Sequence, residues 1–307
     1  MASEATPAAT LLRYTQLASS IDASFWRELA SRKLHDYGLS ESAAPVVATF
    51  SPSARGGDAP AQLCLDAESF GASRAGGRRC VAPGSIHNLN TKDSFKQFDK
   101  GGLLRAAGAR MWEAITSGAA LRDPTLLNAF ELLSFADLKR HYFVYWCMFP
   151  ALIADDGAPF TAIGAPAPLG ALAPGMQRAL AALEAMPSAF IVRFGDGDAA
   201  ECAVLPLSAL ADTTLAEITN NARYAVGFVD PSANPQHPGW PLRNLLMCVA
   251  HHVAAEGGEA VRFVSYRDDA ARCASDPSLV SRSLVFDVAL PVPRATPPRS
   301  VGWEKVR

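Results

Sequence analysis

Apolar positions recur at helical spacing after Asp22, where Trp26, Ala30, Leu34 and Tyr37 fall on one face. Asp22 can cap that segment and Gly38 suits a left-handed stop, so the spacing predicts a helix over 22–37. Residues 45–50 and 62–65 are apolar runs of strand length, separated by a Gly/Pro/Ser-rich stretch over 51–60. A second glycine-rich loop is expected over 71–84. Thr91 opens a short helix carrying Phe95 and Phe98. After Gly101-Gly102 a longer helix sets Leu104, Ala107, Met111 and Ile115 on one side. Asp123-Pro124 reads as a cap with a first-turn proline, starting a helix through Phe130. Ser134-x-x-Asp137 resembles a capping box before another short helix. The continuous apolar run 142–149 is expected to be a strand buried on both faces.

Residues 154–175 are rich in Gly, Pro and Ala with little periodicity, as expected of a boundary between two halves. Beyond them the pattern predicts a helix with Met176, Leu180 and Leu183, then strands over 189–194, 201–207 and 224–229. A loop over 230–240 leads into a helix that buries Leu242, Leu245, Val249 and Val253 and ends at Gly257-Gly258. Strands over 260–266 and 282–290 follow. The predicted organisation is a flexible lead (1–13), an N-terminal α/β subdomain (14–155) and a Gly/Pro/Ala-rich connection (156–175). A second α/β subdomain (176–290) and a proline-rich tail (291–307) complete it. Helices and strands mixed in both halves predict an α/β fold of two mixed sheets with helices packed on them. No internal repeat of 20–50 residues is visible.

Composition narrows the function classes. The 307 residues, 49% of them hydrophobic, suffice for two domains at about 150 residues each. Charged residues make up 19%, below the roughly 25% of an average globular chain, which excludes a charge-rich disordered chain. A formal net charge of −2 argues against a basic nucleic-acid wrapper, so no nucleic-acid partner is expected. No apolar run reaches the ~18 residues of a membrane-spanning helix. The first residues lack a cationic segment followed by an apolar one, so no signal peptide is expected. Cysteines 64, 80, 147, 202, 248 and 273 are scattered without a C-x-x-C pair, which fits a reduced, cytoplasmic protein.

Candidate chemistry is sparse. Gly195-Asp-Gly197-Asp-Ala-Ala200 follows a strand, but no helix comes next to hold a pyrophosphate; a hairpin turned at Asp196-Gly197 is the simpler account. His251 and His252 would point about 100° apart on a helix and cannot share one metal ion, so solvated or capping roles are expected. Cys147 and Cys248 sit among apolar residues, where a thiol is inert. No catalytic nucleophile, phosphate loop or metal motif stands out, so no catalytic, cofactor or metal residue is assigned. The most unusual stretch is the proline-rich 230–244. Pro238-Gly239 fixes a turn and Pro241 suits the first turn of a helix. Trp240 between them is read first as a structural anchor, and second as part of a rigid loop presented to a partner.

The order Ile21-Asp-Ala-Ser-Phe-Trp26, Asn90-Thr-Lys-Asp-Ser-Phe-Lys-Gln-Phe-Asp-Lys100 and Ser134-Phe-Ala-Asp-Leu-Lys139 resembles the N-terminal domain of the autophagy ubiquitin-like-modifier-activating enzymes. Phe149-Pro-Ala-Leu152, Pro238-Gly-Trp-Pro-Leu-Arg-Asn244, Ser281-Arg-Ser-Leu284 and Val301-Gly-Trp-Glu-Lys305 continue the resemblance, in the family's order, to nearly the whole chain. It implies a two-part α/β recruitment domain that receives the conjugating enzymes. It also implies that ATP, the adenylate-stabilising residues and the thioester cysteine belong to a separate catalytic half, through which alone the ubiquitin-like modifiers would bind. On that reading the chain is not an enzyme by itself, none of its six cysteines carries the thioester, and it is a fragment, an excised domain or a truncated product. It would act as a monomer in the cytoplasm, including sites of autophagosome formation. A flexible acidic segment of the lipid-conjugating enzyme would dock in an apolar groove near Trp240, rimmed by Arg243, Arg262, Arg267 and Arg282. The alternatives are a free-standing α/β enzyme with a cleft near 230–244, and a fragment without activity.

Overall fold

The computed structural model describes residues 9–53, 61–71, 79–154, 159–195, 201–212, 218, 223–253, 260–269, 281–292 and 296–304. Its strands are β1 Ala9–Leu11, β2 Leu17–Ile21, β3 Ala44–Phe50, β4 Ala61–Leu65, β5 Cys80–Leu89, β6 Phe130–Asp137 and β7 Tyr142–Leu152. They continue with β8 Thr161–Pro168, β9 Ala189–Phe194, β10 Cys202–Pro206, β11 Tyr224–Val229, β12 Ala260–Tyr266, β13 Leu284–Ala289 and β14 Ser300–Trp303. The α-helices are α1 Ala23–Arg32, α2 Lys92–Gln97, α3 Lys100–Thr116, α4 Ala119–Arg122, α5 Ala173–Ala181 and α6 Leu242–Val253.

Two mixed seven-stranded sheets result, with helices packed on them. The first runs β14-β7-β6-β5-β3-β4-β2 and the second β1-β8-β13-β12-β11-β9-β10. In the first sheet β2/β4 and β5/β6 are parallel, and in the second β11/β12 are; every other neighbouring pair is antiparallel. One face of the second sheet (Ile191, Val226, Phe228, Phe263, Phe286) packs with α3 and α6 through Met111, Trp112, Ile115, Leu245 and Val249. Its other face (Phe190, Val192, Val264, Tyr266) shares a core with α5, α1 and the first sheet. Burial on both faces explains why β9 and β11 read as apolar runs without alternation. A single side chain ties the two edges of the first sheet together. Glu304, just after β14, accepts from Ser19 N at 3.0 Å and Ser19 Oγ at 2.6 Å on β2.

Local chemistry sets several boundaries. Asp22 accepts from Ser24 N at 2.8 Å and starts α1, which passes into one π-helical turn over Lys33–Tyr37 before Gly38 at φ 56. Thr91 caps α2, as expected. Asp99 caps α3, which therefore starts before Gly101 rather than after Gly102. Four expectations are overturned. The glycine-rich loop stops short of Cys80, where β5 begins. Gly84 is there because a Cβ would strike the Phe130 ring, so it marks close packing rather than a turn. The segment after Pro124 is a 3₁₀ turn that ends at Asn128, and Phe130 starts β6 by pairing with Gly84. Ser134 and Asp137 lie on β6 instead of capping a helix. Ser134 Oγ bonds Asn88 Oδ1 across the sheet at 3.2 Å, and Asp137 accepts from Arg140 N in the hairpin. Finally, β7 is buried only from Cys147 onward, since Tyr142 and Tyr145 are exposed.

The segments read as lead, connection and tail all contribute strands. Ala9–Leu11 pairs with β8, and β8 in turn pairs with β13 inside the second sheet. Ser300–Trp303 pairs with β7 in the first. The hairpin pairing of β9 with β10 is present, with Cys202 opposite Phe194. Its turn at Asp196-Gly197, the helix stop at Gly257-Gly258, Cys273 and Lys305 lie outside the described residues.

Candidate functional site

The 230–244 loop leaves β11 and enters α6, and its shape is set by a buried ion pair. Asp230 is 0% exposed and Arg267, just past β12, is 3% exposed. Asp230 Oδ1 accepts from Ser232 N at 2.8 Å and Gly239 N at 3.1 Å. Its Oδ2 accepts from Ser265 Oγ at 2.6 Å and from Arg267 Nε and Nη2 at 3.1 and 3.0 Å. The remaining guanidinium donors reach back to the loop, to Asn234 O at 2.5 Å and His237 O at 3.0 Å. A Cβ on Gly239 would collide with Asp230 Oδ1, so glycine is what lets that amide reach the carboxylate. Thr15 bridges Gly239 and donates its N–H to Pro238 O at 2.8 Å, tying the chain between the two sheets to the loop.

Trp240 and Asn244 carry the loop onto the first sheet. Trp240 is half-buried and donates Nε1–H to Phe149 O at 3.1 Å. Asn244 is 2% exposed; its Nδ2 donates to Leu127 O and Pro150 O, both at 2.9 Å, and its Oδ1 accepts from Leu152 N at 3.0 Å. Arg243 lies 4.4 Å over the Trp240 ring and 5.2 Å over Tyr14. Burial pushes the Tyr14 hydroxyl well above its ordinary ionisation range, which the Arg243 charge partly opposes. The crevice between Trp240, Leu17, Phe50 and Phe149 has room for about one water molecule.

Of the five candidate partner residues, the fold gathers Trp240, Arg243 and Arg267 at one loop, with Arg282 beside Arg267. Arg267 does not rim a surface groove; it is interior and braces the loop. Arg282 is exposed, and its Nη2 donates to Ser53 O at 2.6 Å and Arg267 O at 3.3 Å. Arg262 stands apart on β12, facing its register partner Asp287 with Nε–Oδ1 at 2.9 Å and Nη2–Oδ2 at 3.3 Å. Trp240→Ala should cost about 3 kcal/mol, the low end for a large aromatic because the ring is half-buried. Trp240→Phe should cost about 1 kcal/mol for the lost hydrogen bond. Urea denaturation checks both, and a wild-type midpoint for the alanine variant would instead mark the ring as a partner contact.

His251 and His252 are half-buried between helices rather than solvated. His252 Nε2 lies 2.9 Å from Ile115 O and the His251 ring packs edge-on against Trp112. Burial, then the neighbouring His252, lowers the His251 pKa. Burial raises the thiols of Cys80, Cys147 and Cys248, the last to about 12. Among the described residues no group of three or more His, Cys, Asp or Glu side chains could hold a metal ion. Sequence reasoning missed Tyr14 and Asp230. An acid placed directly after the apolar run of β11 was the available signal for Asp230, whereas nothing local marks Tyr14.

The family model described as ubiquitin-like modifier-activating enzyme ATG7 N-terminus matches residues 12–307. The chain belongs to this family. Ubiquitin-like modifier-activating enzyme ATG7 of Rattus norvegicus is 35% identical over 97% of the chain, and that of Homo sapiens 33% identical over 97%. The chain spans 43% and 42% of their lengths respectively, so its 307 residues correspond to the N-terminal part of these activating enzymes and not to their catalytic half. The fold is that of the ATG7 N-terminal domain. A crystal structure of Kluyveromyces marxianus Atg7NTD superposes with a TM-score of 0.69 at 18% identity, covering 96% of both chains. Its complex, Atg7NTD–Atg10, superposes with a TM-score of 0.67 at 18% identity, covering 97% of this chain and 93% of that one.

Proposed function

We propose that this chain is the recruitment domain of an autophagy ubiquitin-like-modifier-activating enzyme, docking the conjugating enzymes so that activated modifier passes to them. The carrying observation is membership of the ATG7 N-terminal family over residues 12–307. Likeness in fold to the Atg7NTD of the Kluyveromyces marxianus Atg7NTD–Atg10 complex supports the same reading. ATP, adenylate formation and the thioester belong to the catalytic half, through which the modifiers would be held. The domain would work as a monomer in the cytoplasm, including sites of autophagosome formation, without a nucleic-acid partner. A cleft enzyme at 230–244 is disfavoured, since the crevice beside Trp240 has no space for a substrate.

Calorimetric titration of the chain with the Atg10 homologue and with the lipid-conjugating enzyme of the same genome tests this. Binding is expected without nucleotide, and should weaken with salt where exposed charge pairs contribute. Removing the flexible segment of the lipid-conjugating homologue should abolish its binding. Heat absent for both enzymes at high micromolar concentration would end the recruitment reading.

A further inference from the structure

The C-terminal end of α6 closes on α3 through two adjacent histidines. Their ring centroids are 5.0 Å apart and their planes nearly perpendicular, at 85°. His252 Nε2 lies 2.9 Å from Ile115 O; a carbonyl only accepts, so that nitrogen carries a hydrogen and donates it. The His251 ring stands against Trp112 at 5.4 Å and 73°. Its Nδ1 is buried with no hydrogen-bond partner among the described residues. Trp112 and Ile115 share one buried core with Leu245, Val249 and Val253 of α6. The two imidazoles therefore sit beside the core that joins the helices.

A proton on His251 finds little to balance it. The elements packed most closely on α6 are α3, β7 and the 3₁₀ turns Pro124–Asn128 and Leu207–Ala211. The two turns contain no titratable side chain, and β7 brings only the tyrosines of its exposed start and Cys147. Burial raises the thiols of Cys147 and of Cys248 on α6, so both stay neutral. On α3, Lys100 lies over Trp146, Arg105 meets Asp99, Arg110 meets Glu131, and Glu113 is exposed. Arg243, in the first turn of α6, stacks on Trp240 at the other end of the helix. The negative end of the α6 dipole and the Trp112 ring favour a cation at His251. Burial and the neighbouring His252 charge outweigh both and hold the His251 pKa below its ordinary 6.5.

We infer that the His251–His252 pair makes the α3–α6 joint proton-sensitive: closed while His251 is neutral, and released at the C-terminal end of α6 when His251 takes a proton. With the helices apart at that end, the imidazole meets water and regains a pKa of about 6.5. The open joint then binds a proton at higher pH than the closed one, so falling pH favours opening. The joint holds in full well above that value. It weakens as pH falls through it towards the lowered pKa of the closed form, and weakens no further below that. Opening stays local, because Asn244 ties the first turn of α6 to Leu127, Pro150 and Leu152. The Trp240 loop therefore keeps its place while the far end of the helix is freed.

Two measurements on the unaltered chain test this. An NMR titration of the imidazole protons should give His251 a midpoint below about 6.5. Hydrogen exchange, corrected for its intrinsic pH dependence, should show protection over 249–253 and 112–116 falling severalfold, about tenfold at most, between about pH 7.5 and 5.5. Protection at Leu152 and over 226–229 should hold. His251→Gln stays neutral at both pH values; it identifies the His251 resonance and should lose the fall. His35→Gln removes an exposed histidine of the π-turn and should keep it. A His251 midpoint at or above the ordinary value, or acid-independent protection over 249–253 in wild type, would overturn the proposal even if the glutamine variant failed to fold. An undiminished fall in His251→Gln would overturn it as well. Each readout uses the chain alone, so the result is independent of whether it binds conjugating enzymes.

Discussion

Arg267→Ala is expected to lower the unfolding free energy by about 3–5 kcal/mol, the range for removing one partner of a buried ion pair. The substitution leaves the Asp230 carboxylate in the interior with only Ser265, Ser232 and Gly239 as donors. It also strips the carbonyls of Asn234 and His237 of their guanidinium donors. Replacing both charges, Asp230→Asn with Arg267→Met, should fall closer to wild type because no unpaired charge stays buried. It should not reach wild type, since the two carbonyls still lack donors. Urea denaturation of the single and double variants reads both effects. A single variant within 1 kcal/mol of wild type would mean that the loop is held by other contacts.

Asn244→Ala should be nearly as damaging, at about 3 kcal/mol or more. One side chain serves three backbone groups, Leu152 N, Leu127 O and Pro150 O, and an unsatisfied buried group costs about 1–3 kcal/mol. Asn244→Asp keeps the shape and the acceptor for Leu152 N but turns the two donations into contacts between oxygens. It should therefore destabilise as much as alanine despite being isosteric. An aspartate variant with a wild-type denaturation midpoint would show that Nδ2 is not the donor. Two of these bonds join the first turn of α6 to the end of β7 and the third joins it to the 3₁₀ turn before β6, so their loss should also lower hydrogen-exchange protection at Leu152.

Much of the fold is legible along the chain. The strands over 189–194, 224–229 and 260–266 and the helix start at Leu242 occur where the hydrophobic pattern places them. Their signals are local: an apolar run bounded by turn residues, or a cap within three positions of the helix it serves. The readings that failed depend on a neighbour elsewhere in the sequence. Ser134 and Asp137 carry a capping pattern, yet β5 offered their segment a parallel ladder. Gly84 looks like a loop residue until Phe130 is brought across it. Thr161–Pro168 has almost no apolar signal because Gly, Ala and Pro fill it, and only its place between β1 and β13 makes it a strand.

The candidate site divides in the same way. The sequence by itself determined the family, the α/β class, the unusual 230–244 loop and the anchoring of Trp240 at a helix entry. It could not sort the arginines, because a guanidinium on a strand looks alike whether it faces solvent or a buried carboxylate. Tertiary structure made that distinction by bringing Arg267 to Asp230, 37 residues away, and Glu304 to Ser19, 285 residues away. It also left Tyr142 and Tyr145 of β7 exposed, against the expectation of a doubly buried strand. Capping and periodicity act over one or two helical turns and so are written in the order of residues. Burial and charge pairing depend on which distant segments the folded chain brings into contact, and that is decided only when the two sheets and their helices have closed on one another.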